Sequence, residues 1–305
     1  MLQYLIRRVL QSIIVIILLT MIVFVIARLS GNPVDLMLPM GASESQRTQL
    51  IQELGLDQPL PVQYVKFIGR AVQGDFGQSL RFRAPAMELV LEKLPATAKL
   101  ALTSLLLAIA AGIPLGILAA IRYRRAGDYI VTTGVTLGQA MPSFWLGIML
   151  ILIFGVQLGW LPVSGDEGLS SLILPAITLS IVPLVTIAKV TRSSMIGTLP
   201  QDFVRTAESK GLPWGNVVRR HALRNALIPV VTVIGVLLGG LLSGAVITEQ
   251  IFAWPGIGSL TIQSINARDF PVVQAVTLIT STIIVGANLL VDLSYSLLDP
   301  RIRRS

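Results

Sequence analysis

The sequence predicts an all-α polytopic membrane protein with six transmembrane helices, and three observations carry that prediction. Of 305 residues, 53% are hydrophobic and only 13% charged, whereas soluble domains carry about 25% charged residues. Six charge-free runs, 9–27, 100–121, 130–155 and beyond, 170–188, 225–248 and 270–291, match the roughly 20 apolar residues that cross a hydrocarbon core. The basic residues are distributed unevenly among the segments that join these runs.

Six crossings place both termini on one side, and the Lys/Arg bias decides which. Arg7 and Arg8 precede the first span; Arg122, Arg124 and Arg125 lie between the second and third; Arg192, Arg205, Lys210, Arg219, Arg220 and Arg224 follow the fourth; Arg301, Arg303 and Arg304 close the chain. These segments are expected to be cytoplasmic. Most acids, among them Asp35, Asp75, Glu88, Glu249 and Asp269, fall on the opposite side. The net charge of +8 therefore reflects topology and anionic lipid rather than nucleic acid.

The first span begins like a signal peptide, but its run of about 19 uncharged residues exceeds a usual h-region, and Ala27-Arg28-Leu29 is a poor cleavage site. Residues 1–29 are read as an N-terminal transmembrane helix. Residues 30–97 are read as an extracytoplasmic cap of short helices. In it, Ser43 and Gln46 are spaced as a capping box, Leu50, Ile51 and Leu54 form an apolar stripe, and Gly55 supplies a stop. Pro61 suits the first turn of a second helix with Val62, Val65, Ile68 and Val72 on one face, and Gly74-Asp75-Phe76-Gly77 is a turn.

Residues 98–298 are read as a five-helix transmembrane core, with 299–305 as a cytoplasmic tail. In the second span, Gly112, Pro114 and Gly116 point to a kink or a close helix contact. In the third, Gly134, Gly138, Pro142 and Gly147 recur about every turn, with Gln139 and Ser143 as polar groups; small-residue packing competes here with solute contact. The fourth contains Pro175, Thr178 and Pro183 and ends in Lys189, Thr191 and Arg192. The fifth is expected to begin after Pro229, with Gly235, Gly239, Gly240, Ser243 and Gly244 forming a smooth face. Residues 249–258, EQIFAWPGIG, are expected to form a re-entrant or surface turn. The last span carries Asn288 and, near its cytoplasmic end, Asp292 as a solvated or paired acid. Gln139, Ser143, Thr178 and Asn288 are the uncharged candidates for a translocation pathway.

The stretch 203–229 is longer than a helix connection needs. Val204 to Lys210 fits a short helix ended by Gly211 and Pro213; after Trp214, a second pattern sets Val217, Val218, Leu223 and Leu227 among Arg219, Arg220 and Arg224. A solvated positive loop and a lever that meets a partner protein both fit. The segment 189–227 is accordingly read as a cytoplasmic docking loop.

Several chemistries lack their residues. There is no cysteine, hence no disulfide or thiolate site, and one histidine, His221, sits among arginines. No Gly-Lys dipeptide, G-x-S-x-G elbow or H-E-x-x-H helix occurs. An enzyme, a nucleotide-binding fold and a metal centre are unsupported. An ion-gradient-driven secondary transporter is the alternative, but it would bury ionisable groups near the midplane, and only Asp292 is a candidate.

At the docking loop the sequence resembles the permease subunits of bacterial binding-protein-dependent ABC importers, especially the branch moving dipeptides, oligopeptides, glutathione and nickel. Arg205, Thr206, Ala207 and Gly211 stand at the E-A-A-x-x-x-G hallmark, with only the Ala and Gly positions matching its general form; R-T-A-x-x-K-G and the later R-H-A-L-R-N-A-L-I-P follow the peptide branch. Residues 54–59 (LGLDQP), 74–77 (GDFG), 94–97 (LPAT), the F-x-W-P-G-x-G run to Gly258, and 299–301 (DPR) agree in order. The resemblance implies a type I ABC importer permease fold in the bacterial inner membrane with both termini cytoplasmic. It implies a second, similar permease, two cytoplasmic ATPases carrying ATP and Mg, and an extracytoplasmic solute-binding protein as partners, with no cofactor in this chain. Arg205, Thr206, Ala207, Glu208, Ser209, Lys210 and Gly211 would form the ATPase-coupling helix. A di- or oligopeptide is the expected solute; a nickel chelate, glutathione, an opine or a sugar is the alternative.

Overall fold

The computed structural model describes residues 2–29, 43–53 and 55–298. Asp35, Leu54 and the 299–301 motif with Arg303 and Arg304 lie outside the described residues, as do the side chains of Leu50, Ser243, Gly244 and Asp292. The described residues are helical apart from turns, loops and an isolated antiparallel bridge between Gln78 and Pro85. In order it forms α1 (Leu2–Leu29), α2 (Glu44–Glu53), α3 (Leu60–Val72), α4 (Ala86–Ile121), α5 (Ala126–Ala140), α6 (Ser143–Leu150), continued as a π-helix over Ile151–Gln157, α7 (Ser170–Thr198), α8 (Asp202–Ser209), α9 (Trp214–Asn216), a π-helical turn over Val217–Ala222, α10 (Leu223–Ile251), α11 (Ile257–Asn266) and α12 (Phe270–Leu298).

Among the described residues, five helical stretches are long and apolar enough to span a membrane, Ile6–Arg28, Ala86–Ile121, Ser170–Thr198, Trp214–Leu242 and Phe270–Leu289; α5 and α6 together make a sixth, bent by 98°. The third charge-free run is thus broken rather than a single straight helix. The cause is Pro142, which clashes with a helical conformation in the residue before it: Met141 is extended, at φ −78° and ψ 128°.

Two compact units divide the chain: Leu2–Ala96 with Gly256–Val285, and Thr97–Pro255 with Gly286 onward. In the first, the capping box forms as spaced, Gln46 Oε1 accepting from Ser43 N at 2.9 Å and Ser43 Oγ accepting from Gln46 N at 3.3 Å. The helix α3 forms as spaced, with Pro61 in its first turn and with Val65 and Val72 of its apolar stripe 69% and 83% exposed. The inward side instead carries Ala71 and Gln63, whose amide donates to the carbonyls of Leu56 and Gln58 at 3.1 and 2.7 Å. Beside lipid or a partner, an apolar stripe need not be the core face. Tyr64 and Phe67 pack on Phe24 of α1, and Phe76, Val90, Leu260 and Val272 make the core. Asp269 is also buried, accepting from the Ser79 hydroxyl and from Arg81 N at 3.3 Å.

In the second unit, α4 and α7 meet where a side chain is missing: a Cβ on Gly116 would lie 2.6 Å from Ala188 O and from Thr191 Cβ. This is the close contact expected around Gly112 and Gly116. Proline does not open the fifth span as expected, since Pro229 lies inside α10. The cost of one missing amide donor is local, and helix contacts within a membrane tolerate it. For residues 249–258, burial corrects the surface alternative alone. Glu249 to Ile251 finish α10, Phe252 and Trp254 are fully buried, and Ile257 opens α11. The apolar rings and the Trp254 N–H to Glu249 O bond of 2.8 Å make this a core turn, not a surface one.

Candidate functional site

The coupling segment is built from the end of α7 through α8 to the start of α10. Its helix α8 has two buried residues, Val204 and Ala207, spaced i, i+3 so that both lie on one face. They pack with Met195 of α7, Ala120 of α4, and Val217, Val218, Ala222 and Ala226. The Ser194 hydroxyl donates to Ala226 O at 2.8 Å, tying α7 to α10 beneath the same cluster. Gly211 stops the helix at φ +75°, a left-handed conformation that costs other residues energy, and its N–H returns to Glu208 O at 2.9 Å.

The opposite face is free of the chain. Arg205, Thr206, Glu208, Ser209, Lys210 and Gly211 are exposed. The Thr206 and Ser209 hydroxyls turn back to the carbonyls of Asp202 and Arg205 at 2.8 and 3.0 Å, leaving Arg205, Glu208 and Lys210 as outward charges. Phe203, Leu212 and Trp214 are exposed beside them. Charges bordering exposed aromatic and aliphatic groups on a rigidly anchored helix suit a protein partner.

A second polar constellation braces the same elements, and reading the sequence did not find it. Asp128, in the first turn of α5, is buried and accepts from Arg192 Nε and Nη2 of α7, both at 2.7 Å. It also accepts from Arg124 N at 3.0 Å. Arg124 adopts φ +60°, and the Tyr123 ring lies within 5.5 Å of the Arg192 guanidinium. The available signal was one acid in a link rich in arginine.

The pathway candidates are dispersed. Gln139 is exposed and accepts from Lys189 Nζ at 2.8 Å. Ser143 is half-buried in the first turn of α6, Asn288 is exposed on α12, and Thr178 is buried with its hydroxyl donated to Leu174 O at 2.9 Å. Glu249, counted with the loop acids, is instead fully buried in α10 and accepts from Thr97 Oγ1 at 2.6 Å. Among the described residues no cluster of His, Asp or Glu could hold a metal ion.

Residues 112–304 match the family described as the binding-protein-dependent transport system inner membrane component. Residues 1–101 match its N-terminal companion. The oligopeptide transport system permease protein AppB of Bacillus subtilis is 41% identical, covering 99% of both chains. The dipeptide transport system permease protein DppB of Escherichia coli is 39% identical over the same shares, as is the glutathione transport system permease protein GsiC of Salmonella paratyphi A. In solved structures, the fold is similar to that of the MetNI methionine ABC transporter, with a TM-score of 0.57 at 16% identity over 70% of this chain and 97% of the other. An amino acid ABC transporter gives 0.55 at 15% identity over 68% and 94%. The expected importer permease fold is therefore the fold found. With both segments matched and near-complete coverage of its relatives, the chain belongs to the inner membrane components of binding-protein-dependent transport systems.

Proposed function

We propose that this chain is one of two permease subunits of an ATP-driven importer of di- or oligopeptides, and that α8 is its coupling helix. The observation that carries the coupling role is the division of α8 into a buried Val204/Ala207 face and an exposed face of Arg205, Glu208 and Lys210. A helix held this way moves with α7 and α10 when a partner moves it. The peptide assignment rests on relatives that bear oligopeptide and dipeptide names.

In this reading two ATPases, which hold ATP and Mg, bind the exposed face on the cytoplasmic side, where both termini also lie. A similar permease completes the pathway, and a solute-binding protein delivers the peptide from outside. Closure of the ATPases displaces α8, its parent helices tilt, and access alternates; no covalent step occurs in this subunit.

The absence of native cysteine makes the test direct. Ser209→Cys, cross-linked in native membranes and analysed by mass spectrometry, is expected to capture a protein with a Walker A motif. Capture of no ATPase by an inserted chain that carries out ion-gradient-driven uptake alone would overturn the reading.

A further inference from the structure

α7 carries two cations close together where its charge-free run ends, and their surroundings differ. Arg192 is held by the Asp128 carboxylate in a two-point pair. Lys189, one turn earlier, is exposed and donates to the neutral Gln139 Oε1 at 2.8 Å. Gln139 itself is exposed near the end of α5.

The direction of the lysine is informative. Gln139 lies about 16 Å along α5 from Asp128 at 1.5 Å per residue, so the ammonium reaches away from the Asp128–Arg192 end and into the span. A lysine avoiding hydrocarbon snorkels the other way, toward the nearer helix end. An ammonium that reaches back into a span faces a bundle interior or an aqueous path, because lipid contact is costly.

Lys189 also borders a cavity of about 200 Å³ that extends along its stem to Arg192, with Gly116, Val131, Thr132, Val135 and Ala188 among its walls. There is room beside the lysine stem for a carboxylate-sized group. An ammonium has three donors and a glutamine oxygen takes one of them, which leaves donors for an anion.

We infer that Lys189, oriented by Gln139, is a solute-binding group of the translocation pathway and takes the carboxylate of the passing peptide. This rests on the peptide-importer reading above. It adds a charged contact to a pathway whose sequence candidates were all uncharged.

The test uses the full importer reconstituted with its ATPases and binding protein, supplied with one tripeptide as the free acid and as the C-terminal amide, each at saturating concentration. Lys189→Met is expected to slow free-acid uptake about tenfold, the worth of one charge-assisted hydrogen bond, and to bring the ratio of free-acid to amide uptake close to one. Lys189→Arg is expected to keep the preference for the free acid. An unchanged ratio in Lys189→Met, with normal assembly, overturns the inference while leaving the importer reading intact. Failure of the unaltered importer to take up either peptide overturns the peptide reading and the inference together.

A second measurement does not depend on turnover. Lys189→Cys in the assembled importer should react with a small water-soluble thiol reagent, and peptide loading should protect it. Labelling only by membrane-soluble reagents, or efficient cross-linking to the second permease with no protection by peptide, overturns the inference.

Discussion

The Asp128 carboxylate and the Arg192 guanidinium form a two-point pair, 2.7 Å at each contact, with only 4% of the Asp128 side chain exposed. The pair joins the elbow that begins α5 to the helix that leads into α8. Removing one partner leaves a poorly solvated charge, which costs about 3 kcal/mol or more. Asp128→Ala and Arg192→Met should each lower the thermal unfolding midpoint of the detergent-solubilised chain. The double variant Asp128→Leu/Arg192→Met should lose clearly less than the sum, because it leaves no orphaned charge. Additive losses would mean that the two residues act separately.

Ala207 lies beneath the proposed coupling face and touches the cluster around Met195 and Val217. A leucine there overfills a packed site, at about 1–3 kcal/mol, and the strain falls on the position of α8. Ala207→Leu should insert normally yet lose most ATP-dependent uptake, while Ala207→Ser, close in volume, should retain it. Parallel measurement of membrane abundance and uptake separates coupling from folding.

Gly211 offers a different kind of constraint. A Cβ there would meet nothing within 4 Å, yet φ is +75°. The penalty for substitution is therefore conformational, about 1–2 kcal/mol, and depends on which side chains accept the left-handed region. Gly211→Asn should preserve uptake; Gly211→Val should impair it without affecting insertion. Equal impairment by both would point to a steric demand from a docked partner.

How much of this was legible in the sequence depends on the range of the interaction involved. The spans were readable because hydrocarbon demands uninterrupted apolar length, but their ends were not. α7 continues from 188 to Thr198, and α10 absorbs Pro229, since helices may run past the bilayer and neighbours compensate for a proline. The Ser43–Gln46 box and the stop at Gly211 were local, and formed as spaced. The Asp128–Arg192 pair joins residues 64 apart; tallying charges by loop assigned Arg192 to topology and passed over Asp128. Lys189 was hidden for the same reason, as its partner Gln139 lies on another helix. Glu249 was misplaced because a short aromatic turn reads alike whether it sits on a surface or within a core.

Glu249 and Thr97 provide the last prediction. The acid is fully buried, and the Thr97 hydroxyl donates to Oε1 at 2.6 Å. A buried hydrogen bond contributes about 0.5–1.5 kcal/mol, and losing its donor takes one partner from the carboxyl oxygen. Thr97→Val keeps the volume and removes the donor, whereas Thr97→Ser keeps the donor and loses a methyl group. If the bond matters more than packing, Thr97→Val should lower the unfolding midpoint more than Thr97→Ser. In the Glu249→Leu background, where no carboxylate remains, Thr97→Val should have a much smaller effect. The reverse order of the single variants would show that the Thr97 methyl, rather than its hydroxyl, holds α4 against the end of α10.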